Sequence, residues 1–149
     1  MRTPASIAGH PLHAMLIVFP VGLLVFSLIC DLISLGSSDA TTWAAVARYT
    51  MAGGFIGALV VAIPGLIDLR SITDAKVKKI GVMHMSLNLL AVVLYAINLW
   101  LRFHGANTTG VPLILSIVSV LGLSVSGWLG AEMVHVHGVG VATGEARQL

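Results

Sequence analysis

Five of the six histidines lie near the ends of long apolar stretches: His10 and His13 before the first, His84 early in the third, and His135 and His137 after the fourth, with His104 apart from them. Imidazole is the commonest protein ligand for zinc, copper, iron and nickel, and it titrates near neutral pH. Such a set offers three chemistries: holding a metal, ligating haem or relaying protons. Haem takes axial histidines from opposite faces of its ring, which two facing helices of a bundle supply. His13 and His84 are the first axial choice for a haem b, with His10 and His137 as further ligands. The alternative is a transition metal such as Fe, Cu or Zn on His10, His13, His84 and His137. Carboxylates are scarce, since only Asp68 and Glu132 share the depth of these histidines, and Glu132-x-x-His135 occurs once where di-metal bundles use two such motifs. Asn88, one turn from His84, is placed to hold the second nitrogen of a ligating ring, and Asp68, Glu132 and His135 join it as supporting residues. The plainer reading is interfacial packing, because amphipathic rings tolerate the headgroup region.

The elements that position these residues are legible from charge. Of 149 residues, 57% are hydrophobic and 9% charged, against roughly 25% charged in soluble domains. Four intervals contain no Asp, Glu, Lys or Arg: residues 3–30, 49–67, 80–101 and 103–131, of 28, 19, 22 and 29 residues. A hydrocarbon core of about 30 Å needs about 20 apolar residues of helix. The expected spans are 12–35, 44–69, 80–101 and 111–134, forming an all-α, integral membrane four-helix bundle with residues 1–149 as one membrane domain. Continuous apolar runs of this length satisfy their backbone as helices and do not resemble barrel strands. The first run is too long for the core of a cleaved signal peptide and is expected to remain as a helix. A net charge of +2, without a basic run interleaved with aromatics, argues against nucleic acid. The single cysteine, Cys30, excludes an internal disulfide.

Four spans put both termini and the middle loop on one side. That side carries Arg2, Arg70, Lys76, Lys78, Lys79 and Arg147, and the other only Arg48 and Arg102, so both termini are expected in the cytoplasm. Polar groups inside hydrocarbon report the hidden face of each helix. His84, Asn88, Tyr95, Asn98 and Arg102 form one such seam on the third span, and His10, His13, Pro20, Ser27 and Asp31 form another on the first. Asp31 and Arg102 end these seams on the same side and are expected to pair as a structural ion pair. Gly53 with Gly57, Gly54 with Ala58, and Ser119, Gly122, Ser126 and Gly130 are spaced for close helix packing, within one copy or with a second. Pro20, Pro64 and Pro112 are expected to kink or start helices. No internal sequence repeat is evident.

Gly9-His10-Pro11-Leu12-His13, followed by an apolar helix with Pro20 and Gly22, resembles the start of the family catalogued as domain of unknown function 2231, small bacterial membrane proteins. The resemblance continues through Gly65-Leu66-Ile67-Asp68, His84-x-x-x-Asn88, Gly127-Trp128-Leu129-Gly130-Ala131-Glu132 and His137-Gly138-Val139-Gly140-Val141. Its motif includes His10, His13, His84, Asn88, Glu132 and His137 but not His135, and Ala14 stands where the family often has a second proline. The resemblance implies a four-helix protein of the bacterial inner membrane, sometimes joined in other members to Rieske-type iron-sulfur domains, and it brings no biochemical activity. The expectation is an electron-transfer protein in the bilayer, with a cytochrome, a Rieske-type protein or quinone as redox partner. The alternatives are a non-enzymatic accessory or assembly subunit of a larger membrane complex and a small metal or proton carrier.

Overall fold

A computed structural model describes residues 3–141. In chain order these form β1 (Ser6–Ile7), β2 (His10–Pro11), α1 (Leu12–Leu16), α2 (Val18–Gly36), α3 (Ala40–Ser71), α4 (Ala75–Phe103) and α5 (Val111–His135). Arg2 and Arg147, which contributed to the charge asymmetry, lie outside the described residues. Four helices, with α1 and α2 counted as one span, are long and apolar enough to cross a membrane. Their outward faces carry exposed apolar side chains such as Phe26, Ile56, Leu89 and Trp128, as lipid contact requires. The protein is an all-α, multi-pass membrane bundle.

The helices run further than the apolar intervals. α4 begins at Ala75, five residues before the expected 80, because the Asp74 side chain accepts a hydrogen bond from Val77 N at 2.9 Å and caps the first turn. Lys76, Lys78 and Lys79 are good helix formers, so charge marks the membrane boundary without stopping the helix. α3 likewise spans Ala40–Ser71 where 44–69 is apolar, and passes through Pro64 unbroken. Pro20 acts differently. It has no N–H for the carbonyl of Leu16, four residues earlier, and the chain divides there into α1 and α2 around Ile17. Pro112 sits in the first turn of α5, where a missing N–H costs nothing.

Packing follows the small residues. α2 lies along α3 and α4 along α5, while α3 touches α4 and α2 touches α5, so the ring closes with α2 and α4 on the diagonal. A Cβ at Gly54 would lie 2.6 Å from Leu24 Cγ, and one at Gly57 3.2 Å from Phe19 Cδ1, which shows how closely α3 approaches α2. At the bundle centre Leu24, Met51, Tyr95 and Leu99 form the apolar core, with Phe55 and Leu123 against it.

The two helical hairpins are built on one plan. Buried residues Pro20, Leu24, Ser27 and Asp31 of α2 recur 71 positions later as Ala91, Tyr95, Asn98 and Arg102 of α4. Buried Ala47, Met51, Gly54 and Val61 of α3 recur 65 positions later as Pro112, Ser116, Ser119 and Ser126 of α5. The repeat that is not evident in the sequence is therefore present as a repeat of buried positions, with a pseudo-twofold axis running along the bundle. Equivalent residues of the diagonal helices α2 and α4 face each other across it.

A two-stranded hairpin precedes α1, pairing Ser6 with Pro11 and Ile7 with His10. Its turn needs left-handed backbone at Ala8 (φ 49°) and Gly9 (φ 79°). Ala5 N donates to Asp68 Oδ1 at 2.9 Å and ties the hairpin to the end of α3.

Candidate functional site

Of the expected histidine layer, the structure brings together two members. The His13 and His84 rings meet edge to face, with centroids 6.2 Å apart and planes at 84°. They are equivalent residues, 71 positions apart, one from each hairpin. Each is held in the same way. His13 Nδ1 lies 3.1 Å from the main-chain oxygen of Val61 on α3, and His84 Nδ1 lies 2.8 Å from that of Ser126 on α5. A carbonyl only accepts, so both rings carry a proton on Nδ1, and Nε2 is the nitrogen left to meet a ligand. One turn beyond each carbonyl is a glycine under the ring: a Cβ at Gly65 would fall 2.7 Å from His13 Nδ1, and one at Gly130 3.3 Å from His84 Cε1. A side chain at position 65 would force the His13 ring to shift, whereas one at position 130 would ask the His84 ring to give by a few tenths of an ångström.

The nitrogens differ in one respect. Asn88 Nδ2 donates to His84 Nε2 at 3.1 Å and to the His84 main-chain oxygen at 2.9 Å. The second-nitrogen role expected of Asn88 falls instead to Ser126, whose carbonyl and hydroxyl both lie within 2.9 Å of Nδ1. Asn88 occupies the nitrogen through which His84 would ligate. Its amide must turn away before a metal reaches that ring.

The remaining candidates are dispersed. His10 is exposed on the hairpin, its Nδ1 3.0 Å from its neighbour's Ala8 oxygen. His135 is exposed and bonds to Ala131 O within its own helix. His137 is half-buried, with Nε2 4.0 Å from Glu132 Oε1, and Asp68 serves Ala5. Among the described residues no group of three or more His, Cys, Asp or Glu side chains is placed to hold one metal ion. Val61, Gly65, Ser126 and Gly130 were not expected at the site. The glycine-centred motifs around residues 65 and 130 contained the signal, since the two glycines are separated by the 65-residue offset that relates α3 to α5.

At the other end of the axis Arg102 Nη1 and Nη2 donate to Asp31 Oδ1 and Oδ2, each at 2.7 Å, with Asp31 fully buried and Arg102 5% exposed. Arg102 Nε donates to Asn98 Oδ1 at 2.8 Å, and Ser116 Oγ donates to Asp31 Oδ2 at 3.1 Å. Asn98 Nδ2 is satisfied by Pro112 O and Ser116 Oγ, both at 2.9 Å. Every charged oxygen and nitrogen of the pair thus has a partner, the condition for burying an ion pair in a membrane.

A four-helix membrane bundle with a histidine pair at one end of its axis and an ion pair at the other defines the class of protein. The chain belongs to the DUF2231 family, described as predicted membrane proteins, whose model matches residues 9–143. Comparison with curated proteins and with solved structures gives no match.

Proposed function

We propose that the protein binds haem b between His13 and His84 and serves electron transfer in the bacterial inner membrane, with both termini and the histidine end on the cytoplasmic side. The observation that carries this reading is the matched anchoring of the two rings: each is fixed through Nδ1 to a main-chain carbonyl of the neighbouring helix and backed by a glycine. This is how proteins orient a ligating imidazole and raise its basicity. The donor set is two imidazoles, and among the described residues no group of three or more His, Cys, Asp or Glu gathers around them. A bare divalent ion would bring uncompensated charge into lipid and lack its third and fourth ligands. A porphyrin would supply four nitrogens and two negative charges of its own and would leave His13 and His84 to complete the ligand set. Such a group would supply one-electron chemistry, exchanged with a cytochrome, a Rieske-type protein or quinone. His13 and His84 would hold it, Val61, Gly65, Ser126 and Gly130 would orient them, and Asn88 would yield Nε2 of His84.

A second reading is a non-enzymatic accessory subunit. The Asn88 bond favours it, because Ser126 and Asn88 together satisfy both nitrogens of His84 without any ligand. Optical spectra and metal analysis of protein purified in mild detergent, after expression with iron and haem precursors, separate the two. A low-spin haem spectrum supports the first. Absence of a Soret band and of stoichiometric metal overturns it.

A further inference from the structure

At the ion-pair end of the bundle one arginine has no anion. Among the described residues Arg48 of α3 makes no hydrogen bond or ion pair: its Nε is buried without an acceptor, and the ion pairs are Arg102 with Asp31 and His137 with Glu132. The oxygens of Asp31 are taken by Arg102 and Ser116. Asp39 stands nine residues before Arg48, about 13 Å along the helix. What Arg48 does have is two aromatic rings. Its Cζ lies 5.3 Å from the centroid of Tyr49 on α3 and 5.2 Å from that of Phe103 at the end of α4, so the guanidinium joins the two helices. Tyr49 is 63% and Phe103 56% exposed, so the clamp opens toward lipid.

The depth of this clamp follows from the length of the apolar stretch below it. Residues 49–67 carry no charge and number 19, about 28 Å of helix against a hydrocarbon core of about 30 Å. Arg48 therefore marks the level at which hydrocarbon gives way to headgroup phosphate. Ring faces recover only part of what a cation loses on leaving water, and they supply no acceptor for the N–H groups of Nη1 and Nη2. We infer that Arg48, held by Tyr49 and Phe103, is a binding site for the phosphate of an anionic phospholipid of the phosphatidylglycerol type. The two non-ester oxygens of a phosphodiester match the parallel donors of a guanidinium. A headgroup with its own ammonium would set a second cation against Arg48, which favours the anionic lipid. The exposed Lys76, Lys78 and Lys79 precede or open the charge-free stretch of α4 at the opposite end of the bundle and form no part of this site. The inference does not depend on what the histidines bind.

The test reads the lipid beside Trp100, three residues before Phe103 on α4. The full chain carrying Trp43→Phe and Trp128→Phe is reconstituted in phosphatidylethanolamine vesicles in which a small fraction of either phosphatidylglycerol or phosphatidylethanolamine has dibrominated chains, which quench tryptophan on contact. Brominated phosphatidylglycerol should quench Trp100 severalfold more than the other lipid at equal fraction. Arg48→Gln should make the two lipids equal, and Arg48→Lys, which keeps the charge but loses the fork of donors, should fall between. A second reporter protein, with Trp43→Phe and Trp100→Phe, keeps Trp128, which lies between Ser126 and Gly130 at the histidine end. Its quenching should not change on Arg48→Gln. Equal quenching of Trp100 by both lipids with Arg48 in place overturns the inference without any change at Arg48. So does a preference that survives Arg48→Gln, a Trp128 signal that falls with it, or a preference abolished by inorganic phosphate, which would give the site to the free anion.

Discussion

Arg102 grips both carboxylate oxygens of Asp31 across the diagonal of the bundle, so the two hairpins are joined at one end by a fully desolvated, bidentate ion pair. Removing one partner leaves the other buried and uncompensated, which costs about 3 to 5 kcal/mol. Asp31→Asn and Arg102→Gln should each destabilise the protein by that order, and the double variant should lose clearly less than the sum. Denaturation in detergent, analysed as a double-mutant cycle, measures the coupling. Strictly additive losses would show that the charges do not act as a pair.

The histidine pair makes a prediction about ligation. If haem is bound, His13→Ala and His84→Ala should each abolish the low-spin spectrum, whereas His10→Ala and His137→Ala should retain it. Titration of each purified variant with hemin gives the comparison. Low-spin haem surviving in both of the first two would move the site to His10 or His137.

Asn88 should behave as a competitor for Nε2 of His84. Asn88→Ala frees that nitrogen and should leave haem affinity equal to or above wild type, while the stability of the ligand-free protein falls by about 0.5 to 1.5 kcal/mol for the lost hydrogen bond. Loss of haem binding in Asn88→Ala would instead make Asn88 a support for the ligand.

The glycines beneath the rings should be far less replaceable than glycines in open space. Gly65→Ala drives a methyl into His13 and should impair ligand binding more than Gly130→Ala, in keeping with the 2.7 Å and 3.3 Å approaches. Gly22 and Gly127 meet nothing within 4 Å, so alanine there should stabilise the helix by about 0.5 to 1 kcal/mol. Hemin titrations and melting curves on the four variants together decide whether the contacts, and not helix propensity, set the outcome.

The amino-terminal hairpin should depend on Asp68. Asp68→Ala removes the acceptor for Ala5 N, and amide exchange of residues 5–12 should accelerate while exchange in the core of α4 stays unchanged. Unchanged protection of residues 5–12 in Asp68→Ala would mean that β1 and β2 are held by other contacts.

How much of this was legible depends on which physical property carried it. The spans were visible because charge is excluded from hydrocarbon, and Asp31 and Arg102 could be matched because both end a polar seam at one depth. Helix ends were less legible, since Asp74 caps α4 well before the apolar residues begin. The histidine layer was legible in depth but not in direction. His10 belongs to a hairpin turned outward and His135 points away along its helix, whereas His13 and His84 point inward, and one-dimensional spacing does not separate these cases. The repeat was hidden for a different reason. Leu24 corresponds to Tyr95 and Ala47 to Pro112, so the two halves share burial and contact but little chemistry.

That internal correspondence has a consequence for how such a protein can be assembled. Two identical hairpins, associating as separate molecules, can place histidine opposite histidine on a shared axis. They cannot place aspartate opposite arginine, because symmetry would set aspartate against aspartate. Joining the halves in one chain releases the far end from this restriction while the near end remains matched. The bundle is thus symmetric where histidine meets histidine and asymmetric where opposite charges are required.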